Sequence, residues 1–290
     1  MDRASVDSGH LFDALGFCFG VRVDNERIAR LVEELFRPLA RRGDTPSFYD
    51  LRVCGKSPNS RFELAFEGQQ IATAQHRERL VTDLVHHVNR RAINGCSPPV
   101  FHAGGVEFEG QGIIFPGAME SGKTTLVAGL VRAGFRYLSD EAIALDRETL
   151  VIRPYPKPLS LDPGSWPLFS ELEPHGDMAP GGHKAEQWQV PPHAIHPGAI
   201  GAPCRVDMLV FPHFEPGTEA ALEPLTRAEA LVELAKNTFK FDEQGAVALD
   251  LLAEVVRPAD CYRLTTGKLS RAIELVSGLV GSPVLGERVS

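Results

Sequence analysis

The sequence predicts an α/β fold: a mixed β-sheet core around a glycine-rich phosphate loop, preceded by a small α/β region. Three observations carry this. Gly112-Ile113-Ile114-Phe115-Pro116 is a short apolar run that reads as a buried strand. Gly117-Ala118-Met119-Glu120-Ser121-Gly122-Lys123-Thr124 follows at once and fits G-x-x-x-x-G-K-[ST]. Residues 124–133, rich in Leu, Val and Ala, then read as a helix, with Gly134 placed to stop it. Strand, glycine loop and helix in that order is the context the motif requires.

The motif implies a chemistry. Gly117 and Gly122 let the backbone curl so that successive N–H groups from Ala118, Met119, Glu120 and Ser121 onward point inward. The first turn of the helix, through Thr124 and Thr125, adds unpaired N–H groups and partial positive charge. Lys123 is placed to reach β- and γ-phosphates, and the Thr124 hydroxyl to ligate Mg²⁺. The expected ligands are therefore ATP and Mg²⁺. A strand over residues 135–138 leads to Ser139-Asp140-Glu141, an acidic pair positioned to hold the metal or accept a substrate proton.

The stretch resembles HPr serine kinase/phosphorylase. In that family's C-terminal kinase domain a strand His, a hairpin, the phosphate loop, a helix ending in Gly and an Asp-Asp pair follow one another. Here the order reads His102-Ala103-Gly104, Glu109-Gly110, Gly117 to Thr124, Gly134, and Asp140-Glu141. The likeness covers residues 100–160 well and the rest loosely, and is closer to the HPr-kinase-related proteins than to HPr kinase itself. The nucleotide-binding core also looks like that of ATP-dependent phosphoenolpyruvate carboxykinase. The resemblance implies that Asp140 is the base, that His102 stands near it, and that Lys123 and Thr124 hold phosphate and metal. Glu141 replaces the family's second Asp as a candidate metal ligand. Glu120 replaces a loop residue in a stretch that lacks a third glycine; its carboxylate would either repel nucleotide or assist the metal.

Composition bounds the alternatives. The chain has 290 residues, 43% hydrophobic and 23% charged, ordinary for a globular protein. A net charge of −8 argues against nucleic acid or an anionic membrane as partner. Five dispersed cysteines without a C-x-x-C pair read as reduced thiols. The N-terminus shows no signal peptide and no apolar run approaches a membrane span, so a cytoplasmic protein is expected. No N-K-x-D guanine-reading motif is present, and Tyr137-Leu138-Ser139-Asp140-Glu141 only weakly imitates the acidic strand of transport or motor ATPases.

Along the chain, residues 1–99 read as a small α/β region, either a docking domain or a cover for the kinase sheet. Strands are expected over 16–23, 47–53, 61–66 and 71–74. Helices are expected after Asp24, as N-cap, and over 77–93. His86 and His87 are adjacent on the second helix, so they face different ways and do not read as a metal pair. Residues 100–290 read as the kinase domain, opened by a hairpin across Glu109-Gly110. Strands are expected over 142–145, 150–153, 205–211 and 261–265. Helices are expected from Thr226, over 246–256 and over 269–280. The Pro-, Gly- and His-rich segment 154–203 is long for a connection. Within it Gly181-Gly182-His183-Lys184 suits a loop closing over phosphates, with Lys184 as an active-site cation. Trp166 and Trp188 are expected to anchor the segment.

The resulting expectation is a kinase moving the γ-phosphoryl group of ATP to a hydroxyl, on a Ser of a protein or peptide or on a small molecule. The family's hexamers make a homo-oligomer expected. The alternative is a nucleotide-binding sensor without catalysis, or an accessory protein of a peptide-modification pathway.

Overall fold

Three residue pairs ending in glycine turn the chain back on itself. Leu15-Gly16, Glu67-Gly68 and Glu109-Gly110 take positive φ at both positions (54° and 93°, 50° and 79°, 50° and 86°). This is the two-residue hairpin turn whose twist matches that of its strands. Two of the three stand where the sequence predicts turns. The third, Leu15-Gly16, closes a short first strand that sequence patterning did not mark. The computed structural model describes residues 11–45, 47–55, 61–96, 99–174 and 186–281. It is a mixed α/β protein in two compact units, residues 1–96 with 160–191 and residues 97–159 with 192–290.

The first unit begins with β1 (Leu11–Ala14), β2 (Phe17–Val23), α1 (Glu26–Phe36) and β3 (Ala40–Arg41). It continues with β4 (Phe48–Cys54), β5 (Arg61–Phe66), β6 (Gln69–Ala74) and α2 (Arg77–Gly95). The strands form a six-stranded sheet in the order β3-β1-β2-β4-β5-β6. The cap of α1 is Asn25, whose Oδ1 accepts from the Arg27 and Ile28 N–H groups. Asp24, the predicted cap, instead accepts the Val53 N–H of the neighbouring strand with both carboxylate oxygens. The shift by one residue follows from that competing backbone donor.

The second unit starts with β7 (Val100–Phe108), β8 (Gln111–Pro116), α3 (Lys123–Arg132), β9 (Arg136–Ser139), β10 (Ala142–Leu145) and β11 (Ile152–Arg153). The chain then passes through β12 (Leu159–Leu161), β13 (Trp188–Val190) and α4 (Pro192–Ile195). It ends with β14 (Arg205–Phe214), β15 (Ala221–Pro224), α5 (Arg227–Lys236), α6 (Phe241–Val256), β16 (Asp260–Thr266) and α7 (Leu269–Leu279). The main sheet runs β11-β10-β7-β8-β14-β16-β15, with β9 also paired to β7. β8, β14 and β16 are parallel neighbours, and β7 is antiparallel to β8.

Alternate residues of β7 face opposite sides of this sheet. Phe101 and Ala103 join a core with Leu234 of α5 and Leu252, Val255 and Val256 of α6. Gly104 faces α3, where an added Cβ would lie 2.7 Å from Val127 Cγ2. The capping box predicted at Thr226 is present: its hydroxyl accepts the Glu229 N–H, and Glu229 accepts the Thr226 N–H. α6 starts at Phe241, five residues ahead of the expected start at 246.

The sequence assigned the whole 154–203 segment to the second domain. Residues 160–191 instead belong to the first unit. Side chains of α2 explain why: Arg79 pairs with Glu186, and His86 Nε2 lies 3.0 Å from Gln187 Oε1. Trp166 stacks on Trp188 with ring centres 4.7 Å apart, and β12 pairs with β13. The two tryptophans thus anchor the segment to itself. His87 turns the other way, to Tyr49 Oη at 2.7 Å, so the adjacent histidines share no ligand. Among the described residues no helix is long and apolar enough to cross a membrane. None of the five cysteines forms a disulfide.

Gly112 marks the tightest approach between β8 and β14. A Cβ there would stand 2.2 Å from the Arg205 carbonyl oxygen, which is fixed backbone. Gly112→Ala is expected to cost about 1–3 kcal/mol through overpacking, read as a lowered urea midpoint; an unchanged midpoint would show that the strands have room to part.

Candidate functional site

The site is built where β8 ends. Pro116 closes the strand, residues 117–122 form the loop, and α3 begins at Lys123. Two loop residues take left-handed backbone, Glu120 at φ 63° and Gly122 at φ 84°. Glycine adopts this freely, whereas Glu120 does so at a cost of roughly 1 kcal/mol. The Glu120 side chain is exposed, so its carboxylate stays hydrated. The Gly117 N–H donates to the His102 carbonyl at 3.2 Å, tying the loop to β7.

Lys123 is buried inside the loop. Its Nζ donates to the carbonyls of Gly117 at 2.8 Å and Ala118 at 2.6 Å. Burial pulls its pKa down to about 8, against the opposing pull of Glu141 and Asp140. It therefore remains mostly protonated at neutral pH. A cation ringed by loop carbonyls, over the free N–H groups that open α3, can hold an anion such as phosphate.

Asp140, at the turn from β9 to β10, is 3% exposed. Its Oδ1 accepts from Tyr137 Oη at 2.7 Å and Lys157 Nζ at 2.7 Å. Its Oδ2 faces Thr124 Oγ1 at 3.3 Å. The structure thus brings the predicted Thr124 and Asp140 together. Glu141 is less enclosed, with a side chain 38% exposed, and stands 3.7 Å from Lys157 Nζ. Burial, then the Asp140 charge, holds the Tyr137 hydroxyl well above its ordinary pKa, so it stays protonated and donates.

Lys157 was not among the residues sequence reasoning singled out. It is 1% exposed, and its Nζ also donates to the Pro158 carbonyl at 3.0 Å. Burial alone would lower its pKa; the charges of Asp140 and Glu141 outweigh that and the net shift is upward. The available signal was local. Lys157 lies in Pro154-Tyr155-Pro156-Lys157-Pro158, where prolines enforce an extended backbone. The Tyr155 N–H donates to the Leu138 carbonyl at 2.8 Å and so holds this stretch against β9.

His102 reaches the site by strand register: it pairs with Ala142 in β10, next to the acidic turn. Its ring lies 5.6 Å from that of Phe239. Burial, and secondarily the charge of Lys123, lower its pKa to about 4, so it is neutral at pH 7. Thr125 lies on the first turn of α3. Lys184 lies outside the described residues.

The oxygen donors of Thr124, Asp140 and Glu141 are hard ligands of the kind Mg²⁺ takes, with nucleotide phosphates normally completing the shell. Among the described residues no group of three or more His, Cys, Asp or Glu side chains is gathered to hold a metal by itself. The donor set therefore fits a metal that arrives with a phosphate ligand better than a resident one. No protein-family model matches the chain, and no curated protein matches it.

Two expectations follow from this electrostatics. Lys157→Met strands the Asp140 charge in the interior and is expected to cost about 3–5 kcal/mol, whereas adding Asp140→Asn to it recovers much of the loss. Urea unfolding of the single and double variants checks this, and strict additivity would show that the pair does not interact. For His102 the folded pKa lies below the ordinary 6.5. Between pH 6.5 and about 4 the unfolded chain binds a proton that the folded chain does not. Stability is therefore full above that window and falls as pH is lowered through it. His102→Gln should flatten part of the fall in a profile of urea midpoint against pH.

Proposed function

We propose that the chain is an ATP- and Mg²⁺-dependent phosphotransferase with an HPr-kinase-like core of the phosphoenolpyruvate carboxykinase type. Its acceptor is a hydroxyl, on a Ser of a protein or peptide. The observation that carries this reading is the Thr124 hydroxyl and the Asp140 carboxylate, 3.3 Å apart beside a loop that encloses Lys123. Phosphoryl transfer asks a protein for positioning and charge neutralisation more than for covalent chemistry. The N–H groups of residues 118–122 and of Thr124 and Thr125 cradle the phosphates. Lys123 follows the β- and γ-oxygens. Thr124 and Asp140, with Glu141 beside them, hold the metal, which when bound neutralises phosphate charge. Tyr137 and Lys157 fix Oδ1 of Asp140, and Oδ2, which faces Thr124 Oγ1, takes the acceptor's proton when the acceptor displaces that contact. His102, neutral, lines the neighbouring strand.

One feature favours a second reading, a nucleotide sensor without catalysis. Asp140 is buried and engaged by Tyr137, Lys157 and Thr124, and Lys123 is satisfied by its own loop. An acceptor would have to reach a closed carboxylate. The two readings part on one experiment. Purified protein is incubated with γ-labelled ATP, Mg²⁺ and a size-fractionated host extract, beside Lys123→Ala and Asp140→Asn. The kinase reading expects label on a specific acceptor with the unaltered protein alone. Lys123→Ala is expected to weaken ATP binding by about 10- to 100-fold, the worth of a charge-assisted bond. Asp140→Asn is expected to cut transfer by roughly 10²- to 10⁴-fold with binding spared. Bound ATP without transfer would select the sensor.

A further inference from the structure

The phosphate loop has two different flanks. β8, which feeds it, lies between β7 and β14 in the sheet. On the β7 side stand β9, β10 and the turn that bears Asp140 and Glu141, with Lys157 behind them. The acidic pair and the lysine that meets it are on that side. On the other side β8, β14 and β16 are parallel, so their carboxyl ends reach the edge of the sheet where the loop begins. Ligands of open α/β sheets gather at that edge.

The last residue of β14 is Phe214. It is 51% exposed, unusual for a large aromatic side chain. It stands against the loop: a Cβ on Gly122 would lie 3.6 Å from Phe214 Cβ. At the loop tip Met119 is 81% exposed. Phe214 sits on a firm base. It pairs with Thr266 of β16, and the Glu215 N–H donates to the Thr266 carbonyl at 3.0 Å. Gly267 is packed so closely that a Cβ there would lie 2.8 Å from the carbonyl oxygens of both Glu215 and Thr218. The Thr266 hydroxyl donates to the Lys268 carbonyl at 2.8 Å and closes the turn into α7.

We propose that Phe214 is the stacking platform for the nucleobase of the bound nucleotide, with Met119, exposed on the same loop, offering a second apolar side chain. This rests on the nucleotide reading above and adds where the base lies. A triphosphate held by the loop with its γ-end toward Asp140 must leave in the opposite direction, toward β14. Phe214 is an exposed aromatic side chain bordering the loop on that side, at Gly122. A planar purine covers an aromatic ring well, and thioethers lie favourably along ring edges. The ring recognises the ligand as a nucleotide and not as a bare polyphosphate.

The test compares ligands with and without a base. Binding of ADP, ATP and tripolyphosphate with Mg²⁺ is measured by calorimetry on the full chain, for the unaltered protein, Phe214→Ala, Phe214→Tyr and Lys123→Ala. Phe214→Ala is expected to weaken ADP and ATP by about tenfold, the usual worth of one stacked base, and to leave tripolyphosphate unchanged. Phe214→Tyr, which keeps the ring, restores nucleotide binding. Unchanged ADP and ATP affinity in Phe214→Ala would overturn the subsite. Equal weakening of all three ligands would overturn it too, because Phe214 would then only shape the loop. If the unaltered protein binds neither nucleotide nor tripolyphosphate better than Lys123→Ala does, the nucleotide reading itself fails and takes the subsite with it.

Discussion

The buried ammonium of Lys157 sets the charge balance around Asp140 and Glu141. Without Lys157, the second unit would carry the Asp140 carboxylate in its interior, beside Glu141, without the cation that now meets both. Burying one unpaired charge costs several kcal/mol, a large share of the stability of a protein this size. The extended stretch that carries Lys157, the turn from β9 to β10 and the first turn of α3 therefore depend on one another. The fixed orientation of Asp140 toward Thr124 is the structural result.

The loop balances strain and bonding in the same way. Glu120 holds a backbone conformation that costs a side-chain-bearing residue energy, and the bonds from Lys123 to the carbonyls of Gly117 and Ala118 help hold the curl in place. Those bonds also define what a ligand competes with. An anion in the loop gains Lys123 to the extent that its oxygens hold the ammonium better than two backbone carbonyls do.

The parts of the structure written in local chemistry were legible in the sequence. Strand β8, the loop and α3 follow from an apolar run, two glycines and a helix-forming segment. The hairpin at Glu109-Gly110 follows from its turn residues, and the cap at Thr226 from a Glu three positions on. Thr124 and Asp140 were readable as partners because the motif and the strand after it imply the spacing. What was hidden depends on residues far apart in the chain. Asp24 lost its cap role to a backbone N–H 29 residues away. Residues 160–191 group with the first unit through Arg79 and His86, more than 100 positions earlier. Lys157 drew no reading from the sequence: its flanking prolines imply an extended backbone, but not that the stretch lies against β9 and encloses the ammonium. Phe214 lies beyond the strand expected over 205–211, and only the longer β14 and the sheet order set it beside Gly122.

The chain's division into two interleaved units bears on synthesis. The first unit is drawn from residues 1–96 and 160–191, with part of the second inserted between them. A ribosome releasing the chain from its N-terminus therefore delivers the strand, loop and helix of the phosphate loop before the first unit is complete. It also delivers Lys157 and Asp140 before β14 and β16, the two strands that finish the parallel half of the second sheet. During that interval the residues of the ion pair are present without the two strands that complete their sheet, and because the first unit takes residues from both sides of the inserted stretch, one cut near residue 97 would not give two chains that each hold one unit.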